Sequence, residues 1–336
     1  MSAQYAKDQP SGFSNHVSNV AIVGAGGTVG KYMTEALLKT GKHKVTALTR
    51  EGSPNKLPEG IVVKKVNYDN TSSLIEALKG QDVFIITMNV LAPVDSEKKL
   101  IEAAAEAGVP WILPNEWSTD PTQVQLGADT YLGDGRQQTR ELVVSLGKSA
   151  YLSMISSFWY EFSLAGSENC FGFDFPKKKV TFYDDGKTAI NTSTFLQCGR
   201  AVAALLSLKV LPEDENDKSP TISQFRNGPV YLSSFNISQK DMFESVLRVT
   251  GTTEQDWTVR YQDSHERYKE GQERMNGGDR AGFAQLLYAR VFYPTDEANY
   301  ERRGLLHNEI LGLPKEDLDE ATKRGVEMVG QPPYNP

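Results

Sequence analysis

Asn19-Val20-Ala21-Ile22-Val23 runs without a break into Gly24-Ala25-Gly26-Gly27-Thr28-Val29-Gly30, and the reading of this stretch decides the fold. The first five residues have the apolar, β-branched character of a buried strand. The glycines end it. Beyond Gly30, the residues Met33, Ala36, Leu37 and Leu38 recur at helical spacing until Gly41 supplies a stop. A strand, a glycine turn and a helix in this order open a βαβ unit, where a dinucleotide's pyrophosphate meets a helix N-terminus. Two spacings overlap in the turn: Gly24, Gly26 and Gly30 give G-x-G-x-x-x-G, while Gly24, Gly27 and Gly30 give G-x-x-G-x-x-G. Gly24 permits the sharp turn, Gly27 lets backbone N–H groups approach a phosphate, and Gly30 allows the helix to pack close to the strand.

The theme repeats outward from this point. The pattern predicts strands at residues 44–49, 61–66, 82–87 and 111–113, with helices at 72–79 and 96–107 among them. Such alternation predicts an α/β fold, a Rossmann-type doubly wound parallel sheet. After Pro114 a long connection over residues 115–133 precedes a helix near 135–146 and a strand at 151–155. Farther on come an amphipathic helix at 195–208, an acidic loop at 212–220 and a short strand at 230–233. A helix over 238–250 follows, opened by Ser238 with Asp241 three positions on, close to a capping box. The expected division is a frayed tail at 1–17 and an NAD(P)-binding domain at 18–157, then a smaller, partly interleaved substrate lobe at 158–330 and a Pro-rich tail at 331–336. A strand near residue 230 is expected to return to the main sheet.

Bulk composition agrees with that outline and removes other classes. The chain has 336 residues, 39% hydrophobic, 24% charged and 10% aromatic, which is globular and excludes disordered or disulfide-scaffold proteins. Thirty-six Lys+Arg against 43 Asp+Glu leave −7, with no basic block to hold nucleic acid or an anionic membrane. Cys170 and Cys198, the two cysteines, read as buried thiols in a reducing compartment. No run reaches the roughly 18 apolar residues of a membrane span, and the polar start lacks a secretory signal, so a cytoplasmic address is expected. His16, His43, His265 and His307 are scattered without metal-ligand spacing, and no metal is expected. A Gly-x-Ser-x-Gly elbow is absent, which removes an α/β-hydrolase reading.

The cofactor's identity is read at the end of the second strand, where an acid would bind a ribose hydroxyl and a base a 2′-phosphate. The chain reads Leu48-Thr49-Arg50 there, and Lys56 offers a second cation. NADP(H) is therefore preferred over NAD(H), with an exposed Arg50–Glu51 pair as the alternative use of the arginine.

At this point a family resemblance is carried by several stretches. They are Val23-Gly24-Ala25-Gly26-Gly27-Thr28-Val29-Gly30, Leu48-Thr49-Arg50, Val66-Asn67-Tyr68-Asp69, Gly80-Gln81-Asp82-Val83-Phe84 and Trp111-Ile112-Leu113-Pro114-Asn115-Glu116-Trp117. Asn236 to Met242 and Val249-Thr250-Gly251 continue it. In this order they resemble the NmrA-like and isoflavone-reductase-like branch of the atypical short-chain dehydrogenases, from about Val20 to about Leu313. The resemblance implies NADPH held by Gly24, Gly27, Thr28, Val29, Gly30 and Arg50. It also implies that Thr87, Met88 and Asn89 lie beneath the cofactor, that Pro114 and Asn115 border the nicotinamide, and that Asp69 with Tyr68 lies near adenine. Tyr68 reads equally as a packing residue.

One departure bears on chemistry. The family's reductases place a lysine at the start of the helix after the long loop, whereas this chain reads Tyr131-Leu132-Gly133-Asp134-Gly135-Arg136-Gln137-Gln138. Arg136 can hold a ribose or an oxyanion but is a poor proton donor. Tyr131, Asp134 or a water remains as the proton source, and Tyr131 reads equally as a lobe-interface aromatic. Phe158, Trp159, Tyr160 and Phe162, with Glu116 and Trp117, line a substrate cleft or pack between lobes. Three readings result. The first is an NADPH-dependent reductase of a small aromatic or polyketide- or alkaloid-like compound of secondary metabolism. The second is a redox-neutral isomerase or cyclase on the same fold, using Asp134, Tyr131 and Glu116. The third is an NADP(H) sensor that signals to a protein partner without turnover.

Overall fold

The structure is a computed structural model describing residues 4–53, 56–89, 92–93 and 95–331. Its first unit runs β1 (Asn19–Val23), α1 (Gly30–Lys39), β2 (Lys44–Arg50), β3 (Val62–Val66), α2 (Thr71–Leu78), β4 (Val83–Ile86), α3 (Ser96–Glu106) and β5 (Trp111–Leu113). It continues through α4 (Val124–Asp129), α5 (Gly133–Ser145) and β6 (Ala150–Ile155). Short helix α4 falls inside the long connection, where the sequence shows no pattern. The second part adds β7 (Phe158–Trp159), α6 (Tyr160–Ala165), β8 (Phe173–Asp174), β9 (Lys179–Tyr183), β10 (Ala189–Ser193) and α7 (Phe195–Leu206). After these come β11 (Gly228–Tyr231), β12 (Phe235–Ser238), α8 (Gln239–Thr250), β13 (Thr258–Gln262), α9 (Ser264–Asn276), α10 (Ala281–Val291) and α11 (Leu318–Glu327).

Seven parallel strands form the main sheet in the order β11-β6-β5-β4-β1-β2-β3. Residues of β1 and β4 are buried on both faces, which explains their continuous apolar runs. Edge strand β3 instead exposes Val62 and Val63 and carries Lys64 and Lys65. The chain runs outward from β1 in one direction through β2 and β3, and in the other from β4 through β5 and β6. That reversal makes the carboxyl ends of β1 and β4 the switch point where α/β sheets open a ligand crevice.

Several contacts bear on the expected division at residue 157. Strand β11 does return to β6, with Tyr231 opposite Ile155. Helix α7 also crosses back and packs on α1, where a Cβ on Gly199 would lie 2.4 Å from the Tyr32 carbonyl oxygen. Only a glycine admits that approach. The Phe195 ring stacks on Tyr32 at 5.3 Å between centroids, tying the second part to the first. The expected frayed tail is also pinned. Ala6 N–H donates to Pro212 O at 2.8 Å, Val210 N–H donates to Asn15 O at 3.0 Å, and Val17 is buried in the core. Met1–Ala3 and residues 332–336, most of the Pro-rich tail, lie outside the described residues.

The remaining lobe has its own aromatic core, including Phe158, Tyr160, Phe171, Phe173 and Phe292. Two three-stranded sheets, β12-β10-β7 and β13-β9-β8, frame it. The capping box is formed: Ser238 N–H donates to Asp241 Oδ2 at 2.8 Å, and Asp241 N–H donates to Ser238 Oγ at 3.2 Å.

Candidate functional site

The glycine turn sits at the switch point. Gly24 has φ +82°, and a Cβ there would meet Thr87 O at 2.0 Å. A Cβ on Gly30 would lie 2.0 Å from Gly24 O and 2.7 Å from Thr87 Oγ1. Thr87 is therefore the clamp of the turn: its hydroxyl donates to Val23 O at 3.0 Å and Gly24 O at 3.2 Å. Gly27 N–H donates to Gly24 O at 2.8 Å and is occupied. The N–H groups of Gly26, Thr28 and Val29 have no acceptor among the described residues, so the turn presents free donors at the start of α1. This is the donor set an anionic pyrophosphate requires, and the residues present fit it.

Arg50 ends β2 on the same edge of the sheet, with Leu48 paired to Val23 and Arg50 to Val66. It is exposed and forms no ion pair among the described residues, so the alternative Arg50–Glu51 pair is not formed. Its charge nevertheless reaches Tyr68, where it opposes the upward pull of burial on the phenol. Lys56 is exposed in the loop beyond. Asp69 is exposed and pairs with Lys99 at 2.8 Å, and Tyr68 beside it is half-buried against the core.

Across the crevice, β4 and β5 are stapled beyond their ends. Met88 N–H donates to Asn115 Oδ1 at 3.1 Å, and Asn115 Nδ2 donates to Met88 O at 3.3 Å. Asn115 N–H donates to Glu97 Oε1 on α3 at 2.7 Å. Pro114 is buried beneath, and Asn89 follows Met88 at the rim. Glu116 is buried with both carboxylate oxygens engaged, one by Arg140 and the other by Ser153 Oγ. Burial pushes the Glu116 carboxyl above its ordinary range, against the pull of Ser153, Arg140 and Arg136. Burial likewise raises Glu97, opposed by Asn115 N–H and Arg136, with the Glu116 charge adding to the rise. Arg136, one turn before Arg140 on the same face of α5, is half-buried, and its guanidinium has no hydrogen bond or ion pair among the described residues. Desolvation brings its guanidinium down to about 10, against the pull of Glu116 and Glu97.

Other expected site residues lie elsewhere. Tyr131 has φ +59°, is 53% exposed, and its hydroxyl accepts from Gln272 Nε2 at 2.7 Å, joining the connection to α9. Asp134 is exposed on α5. Trp117 is buried, its Nε1–H donating to Ile86 O at 2.9 Å beneath the sheet. Phe158 packs on Tyr288 at 4.5 Å, and Tyr160 is fully buried with its hydroxyl 2.7 Å from Thr322 Oγ1, so both belong to the lobe core. Trp159 packs between lobes against Phe162 and Phe195. Trp159 keeps one polar feature, a buried Nε1–H without a partner among the described residues, as do the Ser156 and Ser157 hydroxyls before it.

Sequence reasoning passes over Glu97, Arg140 and Ser153. The spacing of Arg136 and Arg140 at i, i+4 is the one local signal that places two cations on this face. Among the described residues, no three His, Cys, Asp or Glu side chains gather as a metal site, and no helix is long and apolar enough to cross a membrane.

Comparison with known proteins follows the same lines. The sequence profile of the NmrA-like family matches residues 16–193. Oxidoreductase aprR of Aspergillus flavus is 29% identical over 310 residues, 90% of this chain and 96% of that protein. A phenylcoumaran benzylic ether reductase of Betula pendula is 34% identical over 121 residues, 32% of this chain and 38% of its own length. The solved structure of a leucoanthocyanidin reductase–NADPH complex from Vitis vinifera has a TM-score of 0.71 at 13% identity, covering 92% of this chain and 100% of that one. At that identity the likeness is one of fold.

Proposed function

The chain belongs to the NmrA-like family, and from that premise we propose that it is an NADP(H)-dependent reductase of a small aromatic or polyketide- or alkaloid-like metabolite. The observation that carries the reading is the turn at the switch point, with its free amides beside the uncommitted Arg50. Amides at a helix start suit a pyrophosphate, and an unpaired guanidinium at the end of β2 suits a 2′-phosphate. The similarity to an oxidoreductase over 90% of the chain, and to a reductase solved with NADPH, supports the same reading. The names of these relatives, a phenylcoumaran benzylic ether reductase and a leucoanthocyanidin reductase, support an aromatic ligand.

When bound, the dinucleotide would supply the hydride. The chain's own residues do the rest. Gly26, Thr28 and Val29 donate to phosphate, Thr87 fixes the turn that presents them, and Arg50 selects the phosphorylated ribose. The Asn115–Met88 staple sets the spacing of the β4 and β5 ends, and Arg136 offers an uncompensated charge to an oxyanion formed on reduction.

Two measurements test this. NADPH fluorescence titration should show saturable binding that weakens at least tenfold in Arg50→Ala, while NADH binding changes little. Consumption of NADPH with a panel of enones, imines, quinones and benzylic ethers should then identify a reducible class. A protein that binds neither dinucleotide refutes the reading. One that binds NADPH without reducing any member leaves the sensor or redox-neutral alternatives in its place.

A further inference from the structure

We propose that Glu97 on α3 delivers the proton that the reduced substrate takes up, with Arg136 beside it holding the oxyanion, the two together replacing the lysine that this helix lacks. The proposal rests on the reductase reading above and goes beyond it by naming the acid.

The other titratable groups of the site and its surroundings are poorly suited to donate the proton. Tyr131 is 53% exposed, its hydroxyl oxygen accepting from Gln272 on α9, so its phenol proton is shared with solvent and is not held at the ends of β4 and β5. Asp134 faces solvent. Glu116 has one oxygen on Arg140 and the other on Ser153, so a proton added to it would break a buried ion pair. Tyr231 donates its hydroxyl to Asp120 at 2.8 Å, and Asp120 in turn holds Arg303 at 2.6 Å. Cys198 is fully buried, and burial drives its thiol far upward. Arg136 keeps its proton at any working pH. Glu97 remains.

Its geometry suits the task. Oε1 is fixed by Asn115 N–H at 2.7 Å, and Asn115 is the residue that clasps Met88 at the end of β4. The carboxyl is thereby anchored at the carboxyl ends of β4 and β5, beside the switch point, with one oxygen committed and the other without a hydrogen bond among the described residues. The charges that act on it are Glu116 after β5 and Arg136 on α5, while Lys98 of its own helix pairs with Glu102. Lys99 is already shared by Asp69 and Asp95. Burial and the Glu116 charge favour the protonated acid, which is the form a donor needs.

The step balances. A hydride from the dinucleotide adds to carbon of a C=O, C=N or conjugated C=C bond, and the π pair moves to the far atom. That atom takes the proton from Glu97, and the carboxylate is reprotonated from water after product leaves.

The test reads the carboxyl directly. In protein labelled with 13C-glutamate and saturated with NADP+, the Glu97 carboxyl, recognised as the signal that vanishes in Glu97→Gln and persists in Glu116→Gln, should keep its proton well above the ordinary range. With the substrate class found above, Glu97→Gln should lower kcat about 100-fold at near-constant KM and NADPH affinity, and abolish the fall of kcat as pH rises. If the glutamine variant fails to fold, Glu97→Asp, which shortens the reach to Asn115, should lower kcat and retain a basic limb. A wild type whose Glu97 carboxyl titrates in the ordinary range, or a Glu97→Gln enzyme with the wild-type pH profile, overturns the proposal while the reductase reading stands. A wild type that binds NADPH and reduces nothing overturns both.

Discussion

Gly30→Ala is the sharpest perturbation of the cofactor turn. Its Cβ would lie 2.0 Å from Gly24 O, and ordinary contact begins at 3.4 Å, so the first turn of α1 must retreat by about 1.4 Å. Nothing nearby can yield instead. Gly24 O is backbone, already held by Gly27 N–H and the Thr87 hydroxyl, and Thr87 Oγ1 would itself be only 2.7 Å from the new methyl. Overpacking of this kind costs about 1–3 kcal/mol. With unfolding entropy near 2.1 cal/mol/K per residue, 336 residues give about 0.7 kcal/mol per kelvin, so 2 kcal/mol lowers Tm by about 3 °C. The same retreat draws the free amides of Thr28 and Val29 from their positions, and NADPH binding should weaken by at least tenfold. Gly27→Ala is the internal control. Its Cβ would lie 3.1 Å from Gly24 O, a conflict that a shift of a few tenths of an ångström relieves, so Tm should change by less than about 1 °C. Scanning calorimetry and fluorescence titration read the two quantities separately. A Gly30→Ala protein with wild-type Tm and wild-type NADPH affinity, or a Gly27→Ala protein equally destabilised, would refute the assignment of Gly30 to strand–helix contact.

Two further outcomes concern regions away from the crevice. Asp217 accepts from Glu213 N–H, Ser219 and Lys209, which hold its carboxyl well below the ordinary 3.8. A depressed pKa stabilises the ionised loop above that value and is lost as pH falls through the folded one, so amide exchange at Ala6 and Lys7, which donate to Pro212 O and Glu213 O, should accelerate relative to the unprotected rate at each pH as pH drops below about 3.8. Asp217→Asn should produce the same acceleration at pH 7, and unchanged protection there would dismiss the loop as the anchor of the N-terminal segment. Cys170 and Cys198 are both buried, and burial raises the Cys170 thiol to about 12, so neither should react with iodoacetamide at pH 8 unless the chain is unfolded. Rapid labelling of the native protein would show that the lobe core opens.

The parts of the fold that were legible are those whose signals are local. A buried parallel strand is an apolar run, a helix repeats every 3.6 residues, and the Ser238–Asp241 cap closes within four residues, so each could be read in place. The order of the N-terminal segment could not. Its residues are polar, and what fixes them is backbone pairing to a loop some 200 positions away. The aromatic cluster after β6 illustrates a different failure. Phe158, Trp159 and Tyr160 are consecutive, and composition treats them alike, but the turn from β7 into α6 sends Phe158 and Tyr160 into the lobe core and Trp159 toward α7. Glu116 was visible because it stands in a motif. Glu97 was not, because its significance depends on β4 and β5 lying side by side, which brings Asn115 within 2.7 Å of a helix 18 residues earlier.

The net charge of −7 conceals how the arginines are used. Arg140, Arg290, Arg303 and Arg324 are neutralised by Glu116, Asp129 with Glu297, Asp120 and Glu161, and these pairs knit elements together. Arg50 and Arg136 are left without such partners, one at the end of β2 and the other at the first turn of α5, on opposite sides of the switch point. The crevice of an acidic protein thus keeps two positive charges for whatever enters it, and the nearby Glu116 charge favours the second of them without touching it. A ligand with negative charge at one end and a polarisable bond that becomes negative during reaction at the other fits that arrangement.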